Sequence, residues 1–254
     1  METILEVKHI SKIYGLETSH PFKAINDISF TVNTGDFICI MGPSGSGKST
    51  LLNNITTIDI PTKGEVYING IEVKQMSQSK LSQFRSENIG FIFQADNLLD
   101  SLTVFENMAL PLELKGIDTK RIKTKVEFLA KNLQIEKELD KYPQDCSGGQ
   151  RQRIAIARSL ISEPDLIVAD EPTGNLDSKN SHEILKLLKR LNQVEKKTII
   201  MVSHDSLMAA YASKVMFLKD GKIEKIIDSK KYSSKEYFYA IMSMNFKEAQ
   251  ILFE

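Results

Sequence analysis

Cysteine and net charge are both scarce in this sequence of 254 residues. Cys39 and Cys146 are its only cysteines. They are too far apart for a paired metal-binding motif and too few for a disulfide framework, so a reducing cytosol is the expected compartment. The 33 basic residues balance 33 acidic ones. No overall field therefore draws the chain to nucleic acid or to anionic lipid.

Long hydrophobic runs are missing as well. No uninterrupted apolar stretch approaches the roughly 18 residues that cross a bilayer, and the first residues, METILE, lack the basic and apolar parts of a secretion signal. If the protein works at a membrane, a partner is expected to hold it there. The length suits one large α/β domain with an inserted subdomain better than two full domains.

Hydrophobic patterning predicts strands of two kinds. Three segments alternate polar and apolar residues, which is typical of an antiparallel sheet. These segments are 4–10, 25–32 and 64–73. Three others are short, continuous apolar runs, which indicate parallel strands buried on both faces. These runs are 37–41, 165–169 and 198–202.

Helical periodicity alternates with the buried strands. Apolar stripes predict helices over 48–56, 149–161 and 178–192. The segment 219–222, Lys-Asp-Gly-Lys between two apolar runs, predicts a hairpin. We expect one α/β domain over 3–228, built on a mixed parallel core sheet, with an antiparallel β-subdomain near the N-terminus.

Two further segments complete the predicted organisation. A helical subdomain is expected to be inserted at roughly 95–162, and a helical tail follows at 229–254. Clustered apolar residues at 97–112 form either the core of that subdomain or a groove for a short helix of a partner. The tail packs either on its own domain or forms an added dimer or partner surface.

A phosphate-binding loop is predicted at 42–50. The sequence GPSGSGKST matches GxxxxGK[ST] directly after a buried strand and before a helix. Its glycines let main-chain N–H groups curl around a polyphosphate, and the positive end of the helix adds to the attraction. Lys48 is expected to reach the β- and γ-phosphates, and Ser49 to bind Mg²⁺. The predicted binding residues are Gly42, Pro43, Ser44, Gly45, Ser46, Gly47, Lys48, Ser49 and Thr50.

Polar residues at the ends of other strands are candidate partners of this loop. Asp170 and Glu171 end a buried strand; Asp170 is expected to hold the metal through water and Glu171 to deprotonate the attacking water. His204 is a candidate γ-phosphate sensor, although a lone histidine there also suits a helix start. Gln94 could complete the shell around Mg²⁺ and water, or lie on the surface.

Two candidates lie further from the chemistry. Tyr14 could stack on a base, or be a partly buried aromatic residue at a strand end. Asp177 precedes a helix, where an N-cap role is expected, and a bridge to a partner subunit is compatible with that role.

A second loop, CSGGQ at 146–150, gives the sequence its resemblance to a family. The loop resembles the LSGGQ signature of ATP-binding cassette (ABC) ATPases, with Cys146 in place of leucine. The aromatic residue, phosphate loop, glutamine, signature, Asp-Glu pair, aspartate and histidine also follow in the family's order. The resemblance covers about 3–228 and implies a P-loop NTPase fold of the ABC type that binds ATP and Mg²⁺.

The resemblance also implies that two copies work together. In this family two cassettes pack head to tail, and the signature of one closes over the nucleotide of the other. The signature residues expected at that nucleotide are Ser147, Gly148, Gly149 and Gln150. A second cluster of N–H donors at a helix start suits the far side of a γ-phosphate. A homodimer with two shared ATP sites is expected.

Closer features narrow the resemblance. The segments TTIDIPTKGEVYING and ADEPTGNLDS look like the MacB/LolD/FtsE-type group, and NLLDSLTV with KEYFYAIMSM looks most like the Bce-type ATPases. This implies a separate integral membrane permease, a cytoplasmic position on the inner face of the membrane, and resistance to peptide antibiotics, in some cases with a sensor histidine kinase. A regulatory FtsE-like or lipoprotein-releasing LolD-like role is the alternative, and no nucleic-acid partner is expected.

Overall fold

A computed structural model describes residues 2–251, with side chains up to Phe246. A four-stranded antiparallel sheet has the order β2-β1-β4-β5. Its strands are β1 (Thr3–Tyr14), β2 (Phe22–Asn33), β4 (Lys63–Ile68) and β5 (Ile71–Glu72). The alternating segments of the sequence therefore form the predicted antiparallel sheet. The third segment is shorter than expected, because a turn with positive φ at Asn69 and Gly70 divides it into β4 and β5.

A second sheet of six strands has the order β10-β9-β3-β8-β7-β6. Its strands are β3 (Phe37–Met41), β6 (Ile89–Ile92), β7 (Leu166–Asp170), β8 (Thr198–Val202), β9 (Lys214–Lys219) and β10 (Lys222–Asp228). All neighbours pair in parallel except β9 and β10, which form the predicted hairpin. Apolar clusters cover both faces of this sheet. The continuous apolar runs require this double burial.

Eight helices connect or cover the strands of the described chain. They are α1 (Lys48–Ile55), α2 (Gln78–Asn88), α3 (Val104–Glu113), α4 (Thr119–Asn132), α5 (Gly148–Leu160), α6 (Ser178–Gln193), α7 (Ser206–Ala209) and α8 (Ser234–Ile251). Helices α3, α4 and α5 lie between β6 and β7, where helical structure was expected. No helix of the described residues is long and apolar enough to span a membrane.

The parallel strands set the position of the candidate site. Strands β3, β6, β7 and β8 run in the same direction, so their carboxyl ends meet at one edge of the sheet. The phosphate loop follows β3, Gln94 follows β6, Asp170 ends β7 and His204 follows β8. Residues that are far apart in sequence are therefore gathered where ligands commonly bind in α/β proteins.

Candidate functional site

The loop after β3 has a backbone that only glycine allows at two points. Gly42 has φ 152°, and a Cβ there would lie 2.0 Å from the carbonyl oxygen of Leu218. Gly47 has φ 100°, and a Cβ there would lie 2.5 Å from the carbonyl oxygen of Ala24. Any side chain would push the loop away from β9 and β2. The glycines thus fix the loop against the sheet edge.

Lys48 and the start of α1 face the concave side of this loop. The Lys48 ammonium donates to the carbonyl oxygens of Gly42 and Pro43, each at 2.8 Å. Helix α1 begins after Gly47 without a side-chain cap. Its first N–H groups and its positive end therefore remain available to an anion. The Ser49 hydroxyl lies on the exposed first turn.

Asp170 and Glu171 sit across the edge from this loop. Burial, followed by the negative charge of Glu171, raises the pKa of Asp170, and the nearby Lys48 partly offsets the shift. Glu171 has φ 44°, and its N–H donates to the carbonyl oxygen of Val202 at 3.1 Å. This turn directs the Glu171 side chain toward the end of β8.

His204 meets Glu171 at that point. Nδ1 of His204 lies 3.0 Å from Oε1 of Glu171, and an imidazole N–H donates to the carboxylate in this geometry. The histidine side chain is 70% exposed and the glutamate 22%, so the pair borders solvent. Because Nδ1 faces Glu171, Nε2 is the ring nitrogen that remains for a phosphate, as the predicted sensor role requires.

Gln94 approaches the same edge from β6. The side-chain amide of Asn175 donates to the Gln94 carbonyl oxygen at 3.2 Å. A Cβ on Gly174 would lie 2.7 Å from Nε2 of Gln94. The turn after Glu171 therefore packs against the Gln94 side chain and donates a hydrogen bond to its main chain. The contact of Asn175 with Gln94 was not predicted, although a glycine such as the neighbouring Gly174 often marks a close approach of another group.

Tyr14 lies beside the phosphate loop and is 40% exposed. Burial raises the pKa of Tyr14, and hydrogen bonding with Thr50 partly offsets it. The Tyr14 hydroxyl donates to Asp59 at 3.0 Å, and the Lys12 ammonium lies 2.6 Å from the other oxygen of that carboxylate. Burial opposes ionisation of Asp59, but the bonds from Lys12 and Tyr14 outweigh it and lower its pKa. Sequence patterns gave no signal for Lys12 and Asp59.

The second loop caps α5. Ser147 is the N-cap, and its side chain and that of Gln150 form a capping box, with Ser147 N–H donating to Oε1 of Gln150 at 2.7 Å. Nε2 of Gln150 donates to Glu138 at 2.8 Å. Both ends of the Gln150 amide are thus engaged within the chain, which suits a role in shaping the loop. Ser147 is exposed and Gly148 is partly exposed.

Asp177 connects the turn after Glu171 with the signature loop. It caps α6 by accepting from Asn180 N–H at 2.8 Å, as expected for an N-cap. A Cβ on Gly149 would lie 2.6 Å from Oδ1 of the same Asn180. The Asn180 side-chain amide also donates to Asp177 at 2.7 Å, so Asp177 holds the side chain against which the signature helix packs. Cys146 is 6% exposed and fills a packing position, as predicted.

The donors at this edge suit a hard divalent cation. Ser49, Gln94 and Asp170 offer hydroxyl, amide and carboxylate oxygens, which are the ligands that Mg²⁺ prefers. Burial and the neighbouring Glu171 carboxylate disfavour the charged form of Asp170 and raise its pKa. A bound cation would relieve that cost.

Asp170→Asn is expected to raise thermal stability in the absence of nucleotide, by on the order of 1–3 °C in Tm, while lowering ATP hydrolysis. Because the folded state raises the pKa of Asp170, the penalty for its charge is present at neutral pH and disappears as the pH falls through that pKa. Calorimetry at pH 7 and at pH 4 tests this.

The control is Asp100→Asn, which changes an exposed aspartate in the segment before α3. It should alter neither Tm nor hydrolysis. A Tm gain for Asp170→Asn that is equal at both pH values would contradict the electrostatic account.

Comparison with known proteins adds a family match. A family model described as ABC transporter matches residues 25–174. The chain is 47% identical over 223 residues to the ABC transporter ATP-binding protein YxdL of Bacillus subtilis, covering 88% of this chain and 86% of that one. It is 44% identical over 239 residues to the bacitracin export ATP-binding protein BceA of Halalkalibacterium halodurans, covering 94% of each.

Two solved structures are similar to this chain and support the same family. The cassette MJ0796 of Methanocaldococcus jannaschii, solved as a dimer in a post-hydrolysis state bound to ADP and Pi, superimposes with a TM-score of 0.81. It is 38% identical, and the match covers 89% of this chain and 98% of that one. CbiO1 of Clostridium perfringens, part of the transporter complex cbiONQ, gives a TM-score of 0.84 at 27% identity, over 99% and 98% of the two chains.

Proposed function

We propose that this chain, which belongs to the ABC transporter family as an ATP-binding and ATP-hydrolysing subunit, powers a separate membrane permease. The permease takes part in the export of, or the resistance to, antimicrobial peptides. The observation that carries the substrate class is the 44% identity to a bacitracin export ATPase over 94% of both chains. On this proposal the permease holds the chain at the cytoplasmic face of the membrane. A sensor histidine kinase coupled to the same complex belongs to the proposal.

The site geometry supports specific roles in hydrolysis. The phosphate loop, with Lys48 and the uncapped start of α1, binds the phosphates of ATP, and Tyr14 stacks on the adenine. Ser49, Gln94 and Asp170 would hold Mg²⁺, which would neutralise phosphate charge when bound. Glu171 orients and deprotonates water, and His204 contacts both Glu171 and the γ-phosphate.

The active form is a homodimer with two shared sites. Ser147, Gly148 and the start of α5 present exposed donors that suit a phosphate held by a second copy. Gly149 and Gln150 support that loop from within, and Asp177 ties it to the turn after Glu171. Hydrolysis removes the group that joins the two copies, which converts chemistry into opening.

A groove of about 430 Å³ between β6, α3 and α5 suits a helix of the permease. Its apolar lining consists of Ile89, Phe91, Phe93, Leu110, Pro111 and Leu114. Leu114 is 80% exposed, and Phe93 directly precedes Gln94, so the groove adjoins the nucleotide site. The sequence left open whether the apolar residues at 97–112 form the core of the subdomain or such a groove. Val104 is buried and Leu98 and Phe105 pack against the core, whereas Leu110 and Pro111 line the groove.

Leu114→Asp is expected to weaken copurification with the permease and to reduce peptide-stimulated hydrolysis, since a carboxylate would be desolvated in an apolar contact. Hydrolysis by the isolated ATPase should change less than about twofold, because exposed positions tolerate such changes. The matched control is Val194→Asp, at a residue that is 72% exposed on the C-cap of α6, outside the groove. Equal losses in both variants would rule out the groove as the contact.

The substrate class is tested in membrane vesicles that contain the chain with the membrane protein that copurifies with it. Bacitracin and other cell-wall-active peptides are expected to raise hydrolysis, whereas an acylated lipoprotein peptide should not. The same vesicles with Glu171→Gln give the background rate. Stimulation by the lipoprotein peptide alone, or by none of these compounds, would contradict the proposed substrate.

A further inference from the structure

The C-terminal helix α8 is anchored on the domain along one face. The Tyr237 hydroxyl donates to the carbonyl oxygen of Ala212 at 3.0 Å. Ile241 is fully buried, and Met244 is 7% exposed within the main apolar cluster. The first part of the tail therefore packs on its own domain, one of the two alternatives left open by the sequence. This anchoring fixes where the next residue of the helix points.

That next residue, Asn245, reaches the loop that carries His204. Its side-chain N–H₂ donates to the Ser206 hydroxyl at 2.9 Å and approaches the carbonyl oxygen of His204 at 3.5 Å. One amide group thus contacts the loop on both sides of Asp205.

Besides the bond from Ser203 N–H to the carbonyl oxygen of Ile40 at 3.2 Å, the loop is held by hydrogen bonds within itself. Asp205 N–H donates to the Ser203 hydroxyl at 3.1 Å, and the Asp205 carboxylate accepts from Leu207 N–H at 2.7 Å. These bonds stay within 203–208 and connect the loop to itself. Asn245 instead links it to a separate, anchored helix.

An open groove separates most of this loop from α8, so the Asn245 bond has few others beside it. A cavity of about 460 Å³ lies between α7 and α8, lined by His204, Asp205, Ser206, Leu207, Met242, Asn245 and Phe246. Leu207 is 52% exposed and Phe246 is 63% exposed, so these two apolar side chains do not close the groove. The amide of Asn245 is the polar bridge that the described residues show across it.

We propose that α8 positions the loop that carries His204 in this ATPase, with Asn245 as a positioning residue that acts through the backbone of His204. The inference rests on the role of His204 in the proposed function. The His204 ring lies 3.0 Å from Glu171, so movement of the loop changes the placement of both groups against the γ-phosphate. Misplacement on the order of 1 Å lowers catalysis strongly while binding contacts elsewhere persist.

Asn245→Ala is expected to lower kcat about three- to tenfold, the range that corresponds to one net hydrogen bond, with KM for ATP changed less than twofold. Asn245→Asp, which keeps the size but cannot donate to a carbonyl oxygen, should act similarly. The matched control is Ser243→Ala on the same helix, whose hydroxyl donates to Ala240 within the helix. Circular dichroism melts establish that all three variants fold.

A double-mutant cycle distinguishes positioning from general stability. Adding Asn245→Ala to His204→Ala should cause no further loss of kcat, because the two residues act through one group. The NMR signal of the His204 ring should shift in Asn245→Ala and remain unchanged in Ser243→Ala. Additive losses, an unshifted ring signal, or a loss carried by KM would overturn the proposal.

The cycle also separates this inference from the proposed function. If His204→Ala hydrolyses ATP at the wild-type rate, the role of His204 itself is wrong. If His204→Ala is slow and Asn245→Ala is not, only the positioning role of α8 fails.

Discussion

Replacing Glu171 by glutamine is expected to lower ATP hydrolysis by about 10²–10⁴-fold, the usual contribution of a general base, while ATP binding is retained. The amide has nearly the same shape and can still accept from Nδ1 of His204. The backbone turn, held by the bond from Glu171 N–H to Val202, does not involve the side chain. Loss of activity would therefore report the missing base.

A dimer that cannot separate is the second expected consequence of Glu171→Gln. If ATP bridges two copies and its hydrolysis separates them, Glu171→Gln should accumulate as a stable dimer with ATP. Light scattering during gel filtration measures the mass, and single-turnover phosphate release measures the chemistry. Glu183→Gln, which removes an exposed ion pair with Lys186, is the matched control. Turnover near the wild-type rate in Glu171→Gln would remove Glu171 from the role of base.

Ser147→Arg is expected to abolish ATP-driven dimerisation and to lower hydrolysis by about 10²-fold or more, while one copy still binds ATP with near-normal affinity. Ser147 is exposed at the start of α5, so an arginine there can point into solvent in the single chain. In the dimer it would occupy the space of the γ-phosphate contact. It would also remove the hydroxyl of the capping box.

Lys48→Ala provides the comparison for this prediction. It removes a cation from the phosphate loop of the same chain, so it should weaken ATP binding by the single copy. Nucleotide affinity of both variants is measured at concentrations where wild type is monomeric. If Ser147→Arg weakens this binding as much as Lys48→Ala does, the signature loop does not act on a second copy.

The central sheet could be predicted because local pattern and burial agree in it. Runs such as 37–41 and 199–202 are apolar throughout, and the structure buries them on both faces. The site residues at its edge follow from the parallel direction of the strands, since each candidate follows a strand end. Their chemical roles remain predictions, because geometry alone shows proximity and not turnover.

Contacts between distant segments could not be predicted. Asp59 holds Tyr14 across 45 positions, and Asn245 reaches His204 across 41. Neither pair has a local pattern, because these hydrogen bonds depend on how the sheets and α8 pack. The choice between core and groove for the apolar residues at 97–112 could not be made for a similar reason. Val104 lies in the core and Leu110 and Pro111 line the groove, and sequence periodicity does not distinguish these two environments.

The central claim is that one ATP is shared by two copies of the chain, and crosslinking between copies tests it most directly. One tagged chain carries Ser44→Cys, a second chain with a different tag carries Ser147→Cys, and both also carry Glu171→Gln. The two chains are mixed and treated with a short bifunctional thiol reagent. The native Cys39 and Cys146 are buried, and chains without the added cysteines give the background. The account predicts a crosslink between the two tags that requires ATP. A crosslink that forms equally well without ATP, or none between chains with ATP bound, would contradict it.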